Sequence, residues 1–446
     1  MSATYDRIRF IGYAIPTTPA GVVGIGNPNG SGAVAGSYLG DSRTENDLEG
    51  RVAVLAHAVR TAKAALPPND RGVINVLLAP EFFFHGPQGP YIYKSPDQDP
   101  VELLSRRLRA AFPRAEYPNW MFVCGTAISS MVRDIDAVLA SNSAQTRNQV
   151  VKSLSEQWQA AYGPLKAAIF DLLVSFIKIC HSHPNCQVRN RSVIVSDLPI
   201  HLSGASGPID LMTTEKYYVS NEDFLLYETT GKRVITEQMT AYAPIDLSGG
   251  DTKRDPFDEY AVFRQCDLAP TGTASSAGMG VGIEICLDHR DVRLRRAIGR
   301  DSDPAGGIHV QLIPSCGMQI LSGSVATGKG GLVFNCDGQY ALAVSDGESR
   351  HYGQSRIDGV DCLFANHWFE GDGGHAAHTQ LARVKRAAVG DNPDGAQSSD
   401  ADFEPLEASA VTISSVDPIP GIEKYFAGGP GDLHFYGLHA PFAIYP

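Results

Sequence analysis

The chain has 446 residues, 43% hydrophobic and 19% charged, which is the balance of an ordinary globular protein and not of a disordered one. Its 37 basic and 49 acidic residues leave a net charge of −12, which argues against a general nucleic-acid or anionic-membrane binder, since both need a basic face. Eight cysteines are too sparse for a disulfide scaffold, no signal-peptide pattern is visible, and the most apolar helical stretch, 167–179, is short and carries Asp171 and Lys178, so the expectation is a reduced, cytoplasmic protein.

In chain order, RIRFIGYAI (7–15) predicts a first strand, and residues 21–40, with seven glycines, predict a loop. Leu48, Val52, Leu55, Val59 and Ala62 recur at helical spacing and predict a helix over 46–66, stopped by Pro67-Pro68. VINVLLA (73–79) is a continuous β-branched run, the signature of a strand buried on both faces. A helix over 101–112 and a strand over 120–128 continue an α/β alternation. Residues 130–185 interrupt it with a long helical stripe that includes Val151, Trp158 and Phe176, which predicts an inserted kinked helix or helical hairpin. Strands follow over 188–196, 261–266, 281–285, 309–313, 332–335, 359–365 and 410–414, with a helix from about 288 and an acidic loop over 388–403.

Three segments carry chemistry. In GVGIEICLDHR (280–290), Cys286 lies between a strand and a predicted helix that Asp288 can cap, and a helix N-terminus favours thiolate. The competing reading is an inert buried cysteine. In LLAPEFFF (77–84), Glu81 follows a buried strand, where open α/β sheets place their sites. Three phenylalanines would raise its pKa and suit a general base, against the alternative of a solvated loop glutamate. In EKYYVS (215–220), Lys216 follows a predicted loop and can supply a fixed positive charge to an oxyanion, against the alternative of a snorkelling surface lysine.

Glu, Lys and Cys in that order, two of them just past apolar strands, resemble the nitrilase superfamily of carbon–nitrogen hydrolases. The resemblance rests on P-E at Glu81, E-K at Lys216 and G-x-x-I-C-x-D over 282–288. It is supported by VRNRSVIVSD (188–197), which looks like the family's strand carrying an Asn, and by VQLIPSCGM (310–318) and HYGQSRI (351–357). It covers about residue 8 to about residue 365. The resemblance implies an α/β four-layer αββα sandwich forming one catalytic domain over 1–446, with 130–185 as a helical insertion. It also implies a Glu81–Lys216–Cys286 triad, with the backbone N–H of Leu287 at the oxyanion, and no metal or organic cofactor. The implied partners are a small-molecule amide or nitrile and a second copy of the chain, as a homodimer or higher homo-oligomer. Phe82, Tyr217, His289 and Ser315 are candidates for the substrate pocket.

The sequence departs from the family in several places. Glu81 and Lys216 are 135 residues apart, and 130–185 accounts for the excess. The G-E motif that carries a second glutamate is absent, and Glu222 and Asp223 are the nearest candidates for an auxiliary acid. Arg293 stands where an acidic residue is common. Cys286-Leu287-Asp288 replaces the C-W-E of nitrile hydrolases, which favours an amide substrate. Acyl transfer, nitrile hydrolysis and a catalytically silent binding protein on the same fold are the alternatives. Three other motifs fail on their chemistry. Gly323–Lys329 resembles a P-loop but has Gly330 where Ser or Thr must bind magnesium. The glycines at 278, 280 and 282 precede a strand instead of following one. His181, His183 and Cys186, or His375 and His378, lack a full zinc ligand set.

Overall fold

The computed structural model describes residues 5–17, 39–68, 70, 72–87, 90–132, 186–202, 206–216, 226–227, 233–234, 261–265, 278–297, 307–339, 341, 351–357, 360–367, 379–390, 398–406 and 410–444. Its strands are β1 (Arg7–Ala14), β2 (Val73–Ala79), β3 (Tyr91–Tyr93), β4 (Trp120–Val132), β5 (Cys186–His201), β6 (Ile209–Glu215), β7 (Leu226–Tyr227), β8 (Arg233–Val234), β9 (Val262–Gln265), β10 (Met279–Ile283), β11 (Ile308–Ser315), β12 (Thr327–Asp337), β13 (His351–Ile357), β14 (Val360–His367), β15 (Gln380–Arg386), β16 (Asp402–Glu404), β17 (Val411–Ser415), β18 (Asp432–Tyr436) and β19 (Phe442–Ala443). The described α-helices are α1 (Thr44–Ala65), α2 (Pro100–Ala111), α3 (Leu287–Arg290) and α4 (Arg293–Ala297).

The strands form two runs. In the first, β17, β18, β1, β2, β4, β5 and β6 lie side by side, parallel at β1–β2 and β2–β4 and antiparallel elsewhere. In the second, β9, β10, β11, β12, β15, β14 and β13 do the same, parallel at β10–β11 and β11–β12. The far end of β5 joins the runs where Ile200 pairs with Gln265. Side chains alternate across a strand. One parity sends Phe10, Val76 and Val123 of the first run into a single apolar cluster with Val281, Leu312 and Phe334 of the second. The two runs therefore pack face to face. The other parity of the first run, with Ile11, Leu77 and Phe122, packs on Leu48, Leu55 and Val59 of α1 and on Leu104 and Leu108 of α2. Local chemistry starts α2: Pro100 opens its first turn and the Asp99 side chain accepts from the Val101 N–H at 2.9 Å. Over the outer face of the second run, Leu294 of α4 lies against Gly282, where a Cβ would come within 2.7 Å of it.

The mixed α/β expectation holds, and the predicted elements before residue 130 correspond closely to β1, α1, β2, α2 and β4. Three expectations change. Lys216 follows β6 directly and not a loop. The helix expected from about 288 is broken into two short pieces, because Val292 between them adopts φ 61°, outside any right-handed helix. Asp288 is not the N-cap, since α3 already starts at Leu287 with Cys286 at the N-cap position. The P-loop-like segment runs into β12, which takes up Gly328 and Lys329. Residues 133–185 of the expected insertion lie outside the described residues, while 130–132 complete β4. No described helix is long and apolar enough to cross a membrane.

Cys124 and Cys336 are buried, and burial pushes both thiols far above their ordinary range. The native state therefore keeps two protons that the unfolded chain releases near pH ~8.5. Stability should fall as pH rises above that point, by about 1.4 kcal/mol per pH unit for each thiol. Urea unfolding between pH 8 and 10 should show Cys336→Ala to have a slope shallower by about that increment. An unchanged slope would defeat the argument.

Candidate active site

Glu81 sits one residue past the Pro80 that ends β2, and its carboxylate is fully buried. Its main chain is fixed on both sides: its N–H donates to the Ser315 carbonyl at 3.1 Å, and its own carbonyl accepts from Thr17 Oγ1 at 2.6 Å. The next residue, Phe82, is held at φ 60° with its N–H donated to Thr126 Oγ1 at 2.9 Å. Gly125 makes this close approach feasible. It adopts φ +73°, and a Cβ on it would meet the Pro80 carbonyl at 2.4 Å. The loop carrying Glu81 is therefore pressed onto β4.

Lys216 is buried, and its Nζ donates to Glu81 Oε1 at 3.0 Å. Asn190 Nδ2 donates to the same oxygen at 2.9 Å. The Asn190 carbonyl accepts the Lys216 N–H at 2.9 Å, so one β5 residue orients both members of the pair. The Phe82 ring covers the lysine, with Nζ 6.0 Å from its centroid. A carboxylate and an ammonium out of water are tolerated only with such close pairing and extra hydrogen bonds.

Cys286 stands between β10 and α3 with φ 49° and ψ −106°, a left-handed backbone unusual for a residue with a side chain. Its N–H donates to the Pro314 carbonyl at 3.1 Å, and its Sγ lies 3.8 Å from the Cys316 carbonyl oxygen. Burial pushes the thiol well above its ordinary range, the Glu81 carboxylate adds to that, and the Lys216 ammonium opposes it. Three residues far apart in sequence therefore act on one another in one buried site. The helix-dipole account of the thiol does not hold, because α3 is only four residues long. The resting group is a thiol under the influence of the Glu81 carboxylate, so a proton must move before sulfur can act as a nucleophile. Leu287 opens α3, and a first-turn N–H has no partner within its own helix.

The remaining candidates fall in different places. Both ring nitrogens of buried His289 are engaged, Nδ1 with Glu284 Oε2 at 2.7 Å and Nε2 accepting the Leu321 N–H at 3.0 Å. The ring ties Glu284, just past β10, to the segment at Leu321. Ser315 Oγ donates to Asn335 Oδ1 at 2.9 Å, and the Ser315 carbonyl accepts from Glu81 and Gly338, which makes it a support for the site loops. Tyr217, Glu222 and Asp223 lie outside the described residues, as do His181, His183, His375 and His378. Among the described residues no group of three or more His, Cys, Asp or Glu could hold a metal ion.

Two further buried side chains find their partners only in the fold. Asn190 is the first; its strand resembles the family's, but only the fold shows that it touches Glu81. Glu284 is the second. It is fully buried and accepts from His289, from Gln311 Nε2 at 2.6 Å and from the Leu294 N–H at 2.7 Å, tying α3 and α4 to the sheet. A lone carboxylate inside an apolar strand, VGIEIC, is its signal in the sequence.

No protein-family model and no curated protein matches the sequence. A nitrilase-superfamily structure is among the solved structures that match. It is Saccharomyces cerevisiae Nit3, a member of branch 10 of that superfamily, at 11% identity and a TM-score of 0.29, covering 84% of this chain and 88% of that one.

Removing one partner of a buried pair leaves an uncompensated charge. Lys216→Met should therefore destabilise the protein by about 3–5 kcal/mol. Glu81→Gln combined with Lys216→Met should recover most of that loss. Urea unfolding of the three variants checks this, and a double variant no more stable than Lys216→Met would contradict it.

Proposed function

We propose that this chain is a carbon–nitrogen hydrolase of the nitrilase superfamily, with residues 1–446 forming one αββα catalytic domain, that cleaves a linear amide through a Cys286 thioester. The observation that carries this reading is the convergence of Glu81, Lys216 and a strained Cys286 in one buried site, with Glu81 Oε1 held by both Lys216 and Asn190. Glu81 takes the thiol proton as Sγ attacks the amide carbonyl carbon. The developing oxyanion is met by Lys216 Nζ and the Leu287 N–H. The carbon–nitrogen bond breaks, the amine leaves with the proton held by Glu81, and the acyl group stays on sulfur. Water, deprotonated by the same carboxylate, attacks the thioester, and the released thiolate recovers the proton. The raised thiol supports Glu81 as the base, because a resting thiolate would need none. Leu287 in place of the tryptophan of nitrile hydrolases favours the amide. Glu222 and Asp223 are the candidates for an auxiliary acid. The working protein on this reading is a cytoplasmic homodimer or higher homo-oligomer.

A panel of linear carboxamides, quenched in acid during turnover, should leave an acyl mass increase on the peptide containing Cys286. Cys286→Ala should abolish turnover and the adduct while keeping substrate binding. Cys286→Ser should be nearly inactive, because a hydroxyl is a much weaker acid than a thiol. Glu81→Gln should impair both acylation and deacylation. Lys216→Ala should lower kcat/KM by about 3–4 kcal/mol in transition-state free energy, the scale of one lost oxyanion donor. Activity that survives Cys286→Ala, or an adduct on Cys316, would overturn the assignment.

A further inference from the structure

The peptide unit joining Glu215 to Lys216 is gripped from both ends. Its N–H donates to the Asn190 carbonyl at 2.9 Å, and its carbonyl, that of Glu215, accepts from Arg293 Nη1 at 2.9 Å. The same Nη1 donates to Asp288 Oδ2 at 2.7 Å, and both of these side chains are buried. Asp288 lies two residues past the nucleophile, in the first turn of α3, while Asn190 holds Glu81. A continuous path of hydrogen bonds thus runs from the Cys286 turn through Asp288 and Arg293 to the Lys216 main chain, and through Asn190 to Glu81.

We propose that Arg293 is a positioning residue that fixes the Lys216 ammonium relative to the Cys286 thiol by holding the peptide before the lysine to the turn after the cysteine. A guanidinium suits this task, since several donors on one rigid plane can serve a carboxylate and a carbonyl together. The inference rests on the triad reading above, and it assigns a task to a side chain that works through the main chain beside Lys216. The charged or titratable groups acting on Cys286 are Glu81, Lys216 and Cys316. Of these, Lys216 is the one whose preceding peptide carbonyl accepts from Arg293.

Alkylation of the full-length protein by iodoacetamide tests the inference without a substrate. Sulfur displaces iodide, and the rate against pH follows the ionisation of the thiol, with the adduct on the Cys286 peptide read by mass spectrometry. Lys216→Met should raise the midpoint by about one pH unit, the scale of one lost neighbouring charge. Arg293→Met should shift it in the same direction. The two substitutions together should shift it no further than Lys216→Met alone, because Arg293 acts through the lysine. Additive shifts would mean that Arg293 acts by its own charge and would overturn the inference while leaving the triad intact. No shift in Arg293→Met, with near-UV circular dichroism unchanged, would overturn it as well. No shift in Lys216→Met would sink the triad reading first and the inference with it. If Arg293→Met does not fold, Arg293→Lys keeps the charge but loses the planar fork, and the same non-additivity, at smaller amplitude, is the supporting result.

Discussion

Two opposite charges buried 3.0 Å apart, Glu81 and Lys216, set the terms for the rest of the site. Taking either ion out of water costs several kcal/mol, and their attraction offsets that cost only when the distance is fixed and further donors are in place. Much of the local architecture serves that requirement. The Glu81 main chain is pinned by Thr17 and Ser315, its carboxylate by Asn190, and its loop by the close approach of Gly125. The thiol has its own constraint in a left-handed main chain, which costs of order 1–3 kcal/mol and persists only where the surroundings enforce it.

The two strand runs divide the work. Their facing sides are apolar and supply the hydrophobic stabilisation. The second run's outer side carries Glu284 and Gln311, and those polar groups are paired with one another, with His289 and with main-chain N–H groups. Buried polar groups left unpaired would destabilise the protein, but fully satisfied they specify one arrangement. A short α3 can stay in place here because Glu284, His289 and Arg293 hold it where four residues of helix could not.

The legible part of the sequence was the part governed by local rules. VINVLLA announces a buried strand, the stripe from Leu48 to Ala62 announces α1, and the helical pattern over 101–112 announces α2. Glu81, Lys216 and Cys286 could be picked out because each sits in a recognisable short context. What was not legible depends on contacts between distant segments. The β6 strand before Lys216 has five of its seven residues intermediate in exposure, so its periodicity is weak. No Gly or Pro marks the break at Val292, beside which Arg293 reaches across to the Glu215 carbonyl. His289 lies three residues past Cys286, and only the fold reveals the hydrogen-bond network in which its ring is held.

The placement of β1 has a consequence for how the chain is made. That strand lies between β2, which follows it within about 60 residues, and β18, whose partners for Phe10 and Ile11 are Tyr436 and Phe435. One edge of β1 therefore stays unpaired until nearly the whole polypeptide has left the ribosome. At about 5–20 residues per second, that wait is tens of seconds. During it, a strand whose inner face carries Ile8 and Phe10 presents both an open hydrogen-bonding edge and an uncovered apolar side. Synthesis rate and chaperone supply, more than the equilibrium stability of the finished molecule, would then govern how much of this protein a cell recovers in soluble form.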